Sequence, residues 1–185
     1  MTAPRPASDS APRVPASAGP IGPRTAEEAE IWKLLEDVTD PEIPVLTVAD
    51  LGVLREVRIE AGVVEVVITP TYSGCPAMNT IESDIRRRLQ DAGHPDVKVT
   101  TVLAPAWTTD WLSEAGRAKL AAFGIAPPAE TSGSKRALFG DSPVIACPHC
   151  GSQNTECVSQ FGSTACKAQY RCRACLEPFD YFKCI

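Results

Sequence analysis

VLREVRIEAGVVEVVITPTYSGCPAMNTIESDI, residues 53–85, sets the architecture of this chain. Two runs rich in β-branched residues, Val53–Ile59 and Val63–Thr69, flank Glu60-Ala61-Gly62, which is the pattern of a β-hairpin. In the second run Val64, Val66 and Ile68 share one face while Val63 and Val67 share the other, so this strand is expected at the centre of its sheet. Pro70–Gly74 then forms a loop. Pro76 suits the first position of a helix opening right after Cys75, whose buried stripe is Met78, Ile81, Ile85 and Leu89. Arg86, Arg87 and Arg88 fall on its solvated face.

The flanking segments extend the same pattern. Thr25 and Glu28 have capping-box spacing, and Ile31, Leu34, Leu35 and Val38 recur at helical spacing before Asp40-Pro41 stops the helix. DPEIPVLTVADLG, residues 40–52, reads as an ordered loop. Beyond the Gly93-His94-Pro95 break, Val97, Val99, Thr101 and Leu103 alternate as a third strand. A further helix over about residues 109–123 carries Trp111, Leu112, Ala115 and Leu120 and ends at Gly124. The order α-β-β-α-β predicts a small α+β two-layer sandwich with its helices on one face of the sheet. We expect a disordered tail over residues 1–24, the α+β domain over 25–125, a linker over 126–143 and a cysteine-rich module over 144–185.

Seven of the eight cysteines lie in the last 39 residues, and Cys75 stands alone. CPHC (Cys147, Cys150) and CRAC (Cys172, Cys175) offer two pairs of soft ligands, the donor set that tetrahedral zinc takes in a ribbon. An iron or iron–sulfur centre on the same thiolates is the alternative. Zinc would stabilise so short a module by roughly 10–16 kcal/mol, and without it the module has little core of its own. Cys157, Cys166 and Cys184 exceed what one zinc needs; they are a second ligand pair, a redox pair or buried thiols. His149, inside a complete C-x-x-C, is expected to be exposed. Tyr170, Phe179, Tyr181 and Phe182 make the module's small core or a docking surface.

Cys75 precedes the expected helix, whose N-terminal partial charge would lower the thiol pKa and favour the thiolate. A buried structural cysteine is the plainer alternative. Thr69, Thr71, Tyr72, Ser73 and Asn79 supply more hydrogen-bonding groups than a packing turn needs, and Asp40 and Glu42 occupy a second loop able to face it. Thiolate with carboxylate would make a mixed S/O site for iron. Carboxylates in a DPE sequence also serve as turn formers. Two histidines in the whole chain leave a cysteine hydrolase without a convincing base, and there is no dinucleotide or phosphate loop.

A net charge of −5 and a pI near 5.1 argue against a nucleic-acid partner. No apolar run has the length of a membrane span, and the N-terminus has no apolar signal core, so a cytoplasmic setting is expected. A reducing compartment favours metal ligation over disulfides for the clustered thiols.

DPEIPVLTVADLGVLREV (40–57) followed by VVITPTYSGCPAMNTIESDI (66–85) resembles the SufT-like metal–sulfur-cluster biosynthesis domain. FGSTACKAQYRCRACLEPFDYFKC (161–184) is similar to the PaaD (PaaJ) family, accessory proteins of the phenylacetyl-CoA epoxidase. The first resemblance implies an important cysteine at the position of Cys75. The second implies an accessory role in aerobic phenylacetate breakdown. That role is maturation or delivery of iron or iron–sulfur centres to the oxygenase or reductase subunit, rather than the epoxidation itself. On this expectation Cys75, with Asp40 and Glu42, holds iron or a cluster transiently, while Cys147, Cys150, Cys172 and Cys175 hold structural zinc. Cys166 and Cys184 are additional thiols. A structural or electron-transfer subunit of the epoxidase is the competing role, and a homodimer is left open.

Overall fold

The computed structural model describes residues 19–129 and 144–183. Most of the expected tail and linker, and Cys184, lie outside the described residues.

The first helix, α1 (Ala26–Leu35), begins where Thr25 Oγ1 accepts the Glu28 amide at 3.1 Å. The carboxylate of Glu28 reaches back to the Arg24 amide at 2.7 Å, so the reciprocal half of the cap lands one residue earlier than a capping box would place it. Ile31 and Leu35 bury the inner face. The loop that follows is ordered by its own apolar residues, Ile43, Leu46, Val48 and Leu51.

Strands β1 (Leu54–Glu60) and β2 (Val63–Ile68) form the antiparallel hairpin read from the sequence. Its two turn residues, Ala61 and Gly62, both have positive φ (50° and 83°), the backbone a tight hairpin turn requires. Helix α2 (Met78–Asp91) then returns the chain to β3 (Val97–Thr101), which pairs in parallel with β2. The sheet order β1-β2-β3 puts the doubly apolar strand in the centre. Helices α1 and α2 pack on each other and on the sheet, an α+β two-layer arrangement. Ile81, Ile85 and Leu89 are buried, while the three arginines of α2 pair with Glu82, Asp84 and Asp37.

The helix expected over 109–123 is two pieces. Thr109–Trp111 is a single 3-10 turn, and Ser113 restarts the chain as N-cap of α3 (Glu114–Ala122), its Oγ accepting the Gly116 amide at 2.9 Å. Leu112 is extended between them, which buries both Leu112 and Gly116 and leaves Ala115 exposed. Gly124, at φ 86°, ends the helix.

A second sheet has the order β4-β7-β6-β5, from β4 (Ile125–Ala126), β5 (Thr155–Ser159), β6 (Lys167–Cys172) and β7 (Pro178–Phe182). Ala126, expected to open the linker, is therefore a strand residue paired with β7. Tyr170, Phe179 and Tyr181 form this sheet's core, with Tyr170 against both other rings. Phe182 does not join them. It and Cys166 are buried in the core of the α+β domain, where Phe182 meets Trp107 edge-on at 6.2 Å between ring centroids. The two sheets thus share an apolar interface. Among the described residues no helix is long and apolar enough to cross a membrane.

Candidate metal centre and thiol site

The first C-x-x-C pair lies on a turn closed by Gly151 N–H to the Cys147 carbonyl at 2.8 Å, with Gly151 at φ 73°. The second starts at the end of β6, where Cys172 N–H donates to the Glu177 carbonyl at 3.0 Å. These two lips bring the four sulfurs of Cys147, Cys150, Cys172 and Cys175 within 4.8 Å of one another. Cys147 Sγ lies 3.8 Å from Cys175 Sγ, and Cys150 Sγ 3.6 Å from Cys172 Sγ. A tetrahedron with Zn–S bonds of about 2.3 Å needs sulfur separations of about 3.8 Å, so the donor set fits zinc. The Cys175 amide points at Cys172 Sγ from 3.4 Å. That amide first, then the Ala174 amide, helps hold the Cys172 thiol down to about 6, poised as a ligand. Bound zinc would supply cross-linking alone, since four protein thiolates leave no open position. His149 is exposed beside Gly124 and outside the sulfur cluster, as expected of it.

Cys75 lies on the loop between β2 and α2, half-buried, its amide donating to the Tyr72 carbonyl at 3.1 Å. Helix α2 starts at Met78 rather than directly after Cys75, and Pro76 belongs to the turn before it. The thiol is not lowered as expected but raised. Burial is the first cause, and the carboxylates of Glu42 and Asp40 add to it. The Ala77 amide and the Thr71 hydroxyl, which lower it, do not outweigh them. Desolvation and like charge defeat the helix end here.

Asp40 is buried, and its Oδ1 accepts the amides of Glu42 (2.7 Å) and Ile43 (2.8 Å), so it builds the loop that presents Glu42. Burial raises the Asp40 carboxyl against those two amides; burial, then Asp40 itself, raises Glu42. Cys166, read from the sequence as an additional thiol, and Lys167, which the sequence reading did not single out, complete the surroundings. Cys166, just before β6, is buried, with its thiol 3.0 Å from Thr164 Oγ1, and it too is raised, by burial first and then by Glu42 and Asp40. Lys167 is buried beside them, ion-paired to Asp180 at 3.1 Å. Tyr72 faces the same group: burial first, then Cys75, Glu42 and Cys166, push its hydroxyl up to about 12. In the sequence Cys166 is marked as a thiol beyond the needs of one zinc, within the segment similar to the PaaD family. Cys157 is exposed on β5, opposite Tyr170.

Residues 28–103 match a family of iron-sulfur cluster assembly proteins, and residues 131–183 match the PaaD zinc beta ribbon domain. The chain is 49% identical to an Escherichia coli K12 protein named for a component of the 1,2-phenylacetyl-CoA epoxidase, over 84% of this chain and 92% of that protein. It is 39% identical to an Fe-S protein maturation auxiliary factor of Porphyromonas gingivalis, over 47% of this chain and 84% of the relative. An Fe-S protein maturation auxiliary factor of Bacillus subtilis is 33% identical over 48% of this chain and 87% of its own length.

Proposed function

This chain belongs to the PaaD family, joining an iron-sulfur cluster assembly domain to a PaaD zinc ribbon, and we propose that it is an accessory maturation factor of a phenylacetyl-CoA epoxidase. Its cargo is iron or an iron–sulfur cluster, delivered to the oxygenase or reductase component in the cytoplasm; the chain itself does not epoxidise. Cys75 holds the cargo and Glu42 assists, with Asp40 shaping the loop. The four ribbon cysteines hold resident zinc.

The observation that carries this is the half-buried thiol of Cys75, raised by burial and in part by the carboxylates of Glu42 and Asp40, on the domain that matches the assembly family. A single thiolate with carboxylates leaves coordination positions open to an acceptor, whereas a closed four-thiolate site does not. Delivery is then ligand exchange: the bond from iron to the Cys75 sulfur breaks as a bond to an acceptor ligand forms. Iron keeps its oxidation state, and the freed thiolate takes up a proton, for which the raised pKa is suited.

The test is anaerobic. The zinc-loaded chain is charged with ferrous iron and sulfide and mixed with metal-depleted oxygenase or reductase. Recovery of the acceptor's spectrum and activity is then followed. Cys75→Ser is expected to lose delivery with its zinc content intact. Full delivery by that variant would defeat the proposal.

A further inference from the structure

The two C-x-x-C turns close in the same way. Cys147 N–H donates to the Ser152 carbonyl at 2.9 Å, and Cys172 N–H donates to the Glu177 carbonyl at 3.0 Å. In each turn the residue after the second cysteine is left-handed, Gly151 at φ 73° and Leu176 at φ 67°. Glycine takes that backbone freely, whereas a side chain brings its Cβ against the following carbonyl. A Cβ at Gly151 would meet no atom within 4 Å, so this position in the turn faces open space. Leu176 is 62% exposed and belongs to neither apolar cluster. The leucine thus strains the backbone and recovers nothing by burial, while glycine serves the matching turn.

A single exposed leucine is ordinary at a protein surface. One held in the left-handed region with no packing in return is an outlier of the kind that marks a working site. The geometry points to Leu176 as an apolar anchor, with which the tip of the ribbon docks into a leucine-sized apolar pocket on the protein that accepts the cargo. This rests on the proposal that the chain delivers iron or a cluster. The exposed charges on either side, Arg173 and Glu177, are of opposite sign, and Arg173 is already paired with Glu156 at 2.7 Å. The tip therefore offers an apolar contact rather than a charged one. One leucine is a small part of the roughly 800 Å² per partner that a lasting interface buries, so it suits an acceptor that binds and leaves better than a permanent second copy of this chain.

The full-length, zinc-loaded, iron-free chain is titrated by calorimetry into the purified, metal-depleted oxygenase and reductase components, each separately. Leu176→Gly is expected to bind the accepting component about tenfold or more weakly than wild type, the loss of one buried leucine. Its zinc content should be unchanged and its urea midpoint no lower, because glycine relieves the backbone. Leu176→Asn, also at ease in left-handed backbone, should lose the same affinity, and Leu176→Met, still apolar, should keep most of it. Binding by Leu176→Gly as tight as wild type, or a lowered urea midpoint, would overturn the inference and leave the Cys75 carrier standing. So would a wild type that pairs with itself in sedimentation equilibrium and loses that pairing in Leu176→Gly, which assigns the leucine to a second copy. A wild type that binds neither component would overturn both.

Discussion

Phe182→Ala tests whether the ribbon is seated in the other module or merely tethered to it. Phe182 is 1% exposed, yet its neighbours belong to the α+β core rather than to the ribbon's own aromatic cluster. Losing a fully buried phenylalanine ring removes about 2–3 kcal/mol of transfer free energy, and the cavity adds to that. The edge-on contact with Trp107, 6.2 Å between centroids with planes at 72°, contributes about another 1 kcal/mol. The sum, about 4 kcal/mol, lies within the range measured for such truncations. Trp107 is itself buried and tied to the Leu51 carbonyl through Nε1 at 2.8 Å, so its fluorescence reports on this interface. With a urea slope of about 2 kcal/mol/M, the midpoint followed by tryptophan emission should fall by about 2 M. Zinc content should stay unchanged, because the ribbon's core does not contain Phe182. A midpoint shift below about 0.5 M would refute the shared interface.

Removing zinc with a strong chelator should unfold the ribbon and, through Phe182, shift Trp107 emission as well; circular dichroism and fluorescence that stay native would contradict the four-thiolate site. Asp50 ties the loop before β1 to α3, accepting Lys119 at 2.6 Å and the Thr47 amide at 3.0 Å. Burial alone would raise its carboxyl, but these partners hold it below the ordinary value. Its stabilisation is therefore present above the unfolded pKa and is lost as pH falls through the folded one. Asp50→Asn should cost about 1–2 kcal/mol at pH 7, allowing for the exposure of Lys119, and the gap from wild type should close under acid conditions in urea melts. In the zinc-loaded, iron-free chain, alkylation of Cys75 should rise with pH through a midpoint above the ordinary thiol value, followed peptide by peptide in a mass spectrometer. A midpoint below that value would show that the helix end, not burial and the carboxylates, governs the thiol.

Local pattern and tertiary placement were not equally legible in the sequence. The hairpin at 54–68, the Thr25 cap and the two C-x-x-C turns are local events, specified within a few residues, and each could be read directly. The break at Leu112-Ser113 was also written locally, as a serine able to cap the amide three residues on, but the apolar spacing of Trp111, Leu112 and Leu120 masked it. The thiol of Cys75 was misjudged for a different reason. A helix end is visible in sequence, whereas the burial and the two carboxylates that outweigh it arrive from residues more than thirty positions away. Cys166 lies farther still, and nothing in its own segment says that it enters the core of the α+β domain.

The two thiol groups that look separate in the sequence are joined by a chain of dependence. The four clustered cysteines belong to a ribbon too small to hold itself together by apolar burial alone, so a metal on them would set its fold. Only a folded ribbon has a β6–β7 pair, and only that pair brings Cys166 and Phe182 to the same end of the sheet, with Lys167 opposite Phe182 in register. Phe182 then seats that end in the α+β core, and the pairing of β4 with β7 holds it from the other side. The seat of the ribbon on the α+β core should therefore depend on the four-cysteine site. With the site metal-free, Phe182→Ala should cost much less in the urea midpoint than it does in the zinc-loaded chain, because the seat it removes is already lost. Equal losses with and without zinc would mean that Phe182 docks without the folded ribbon.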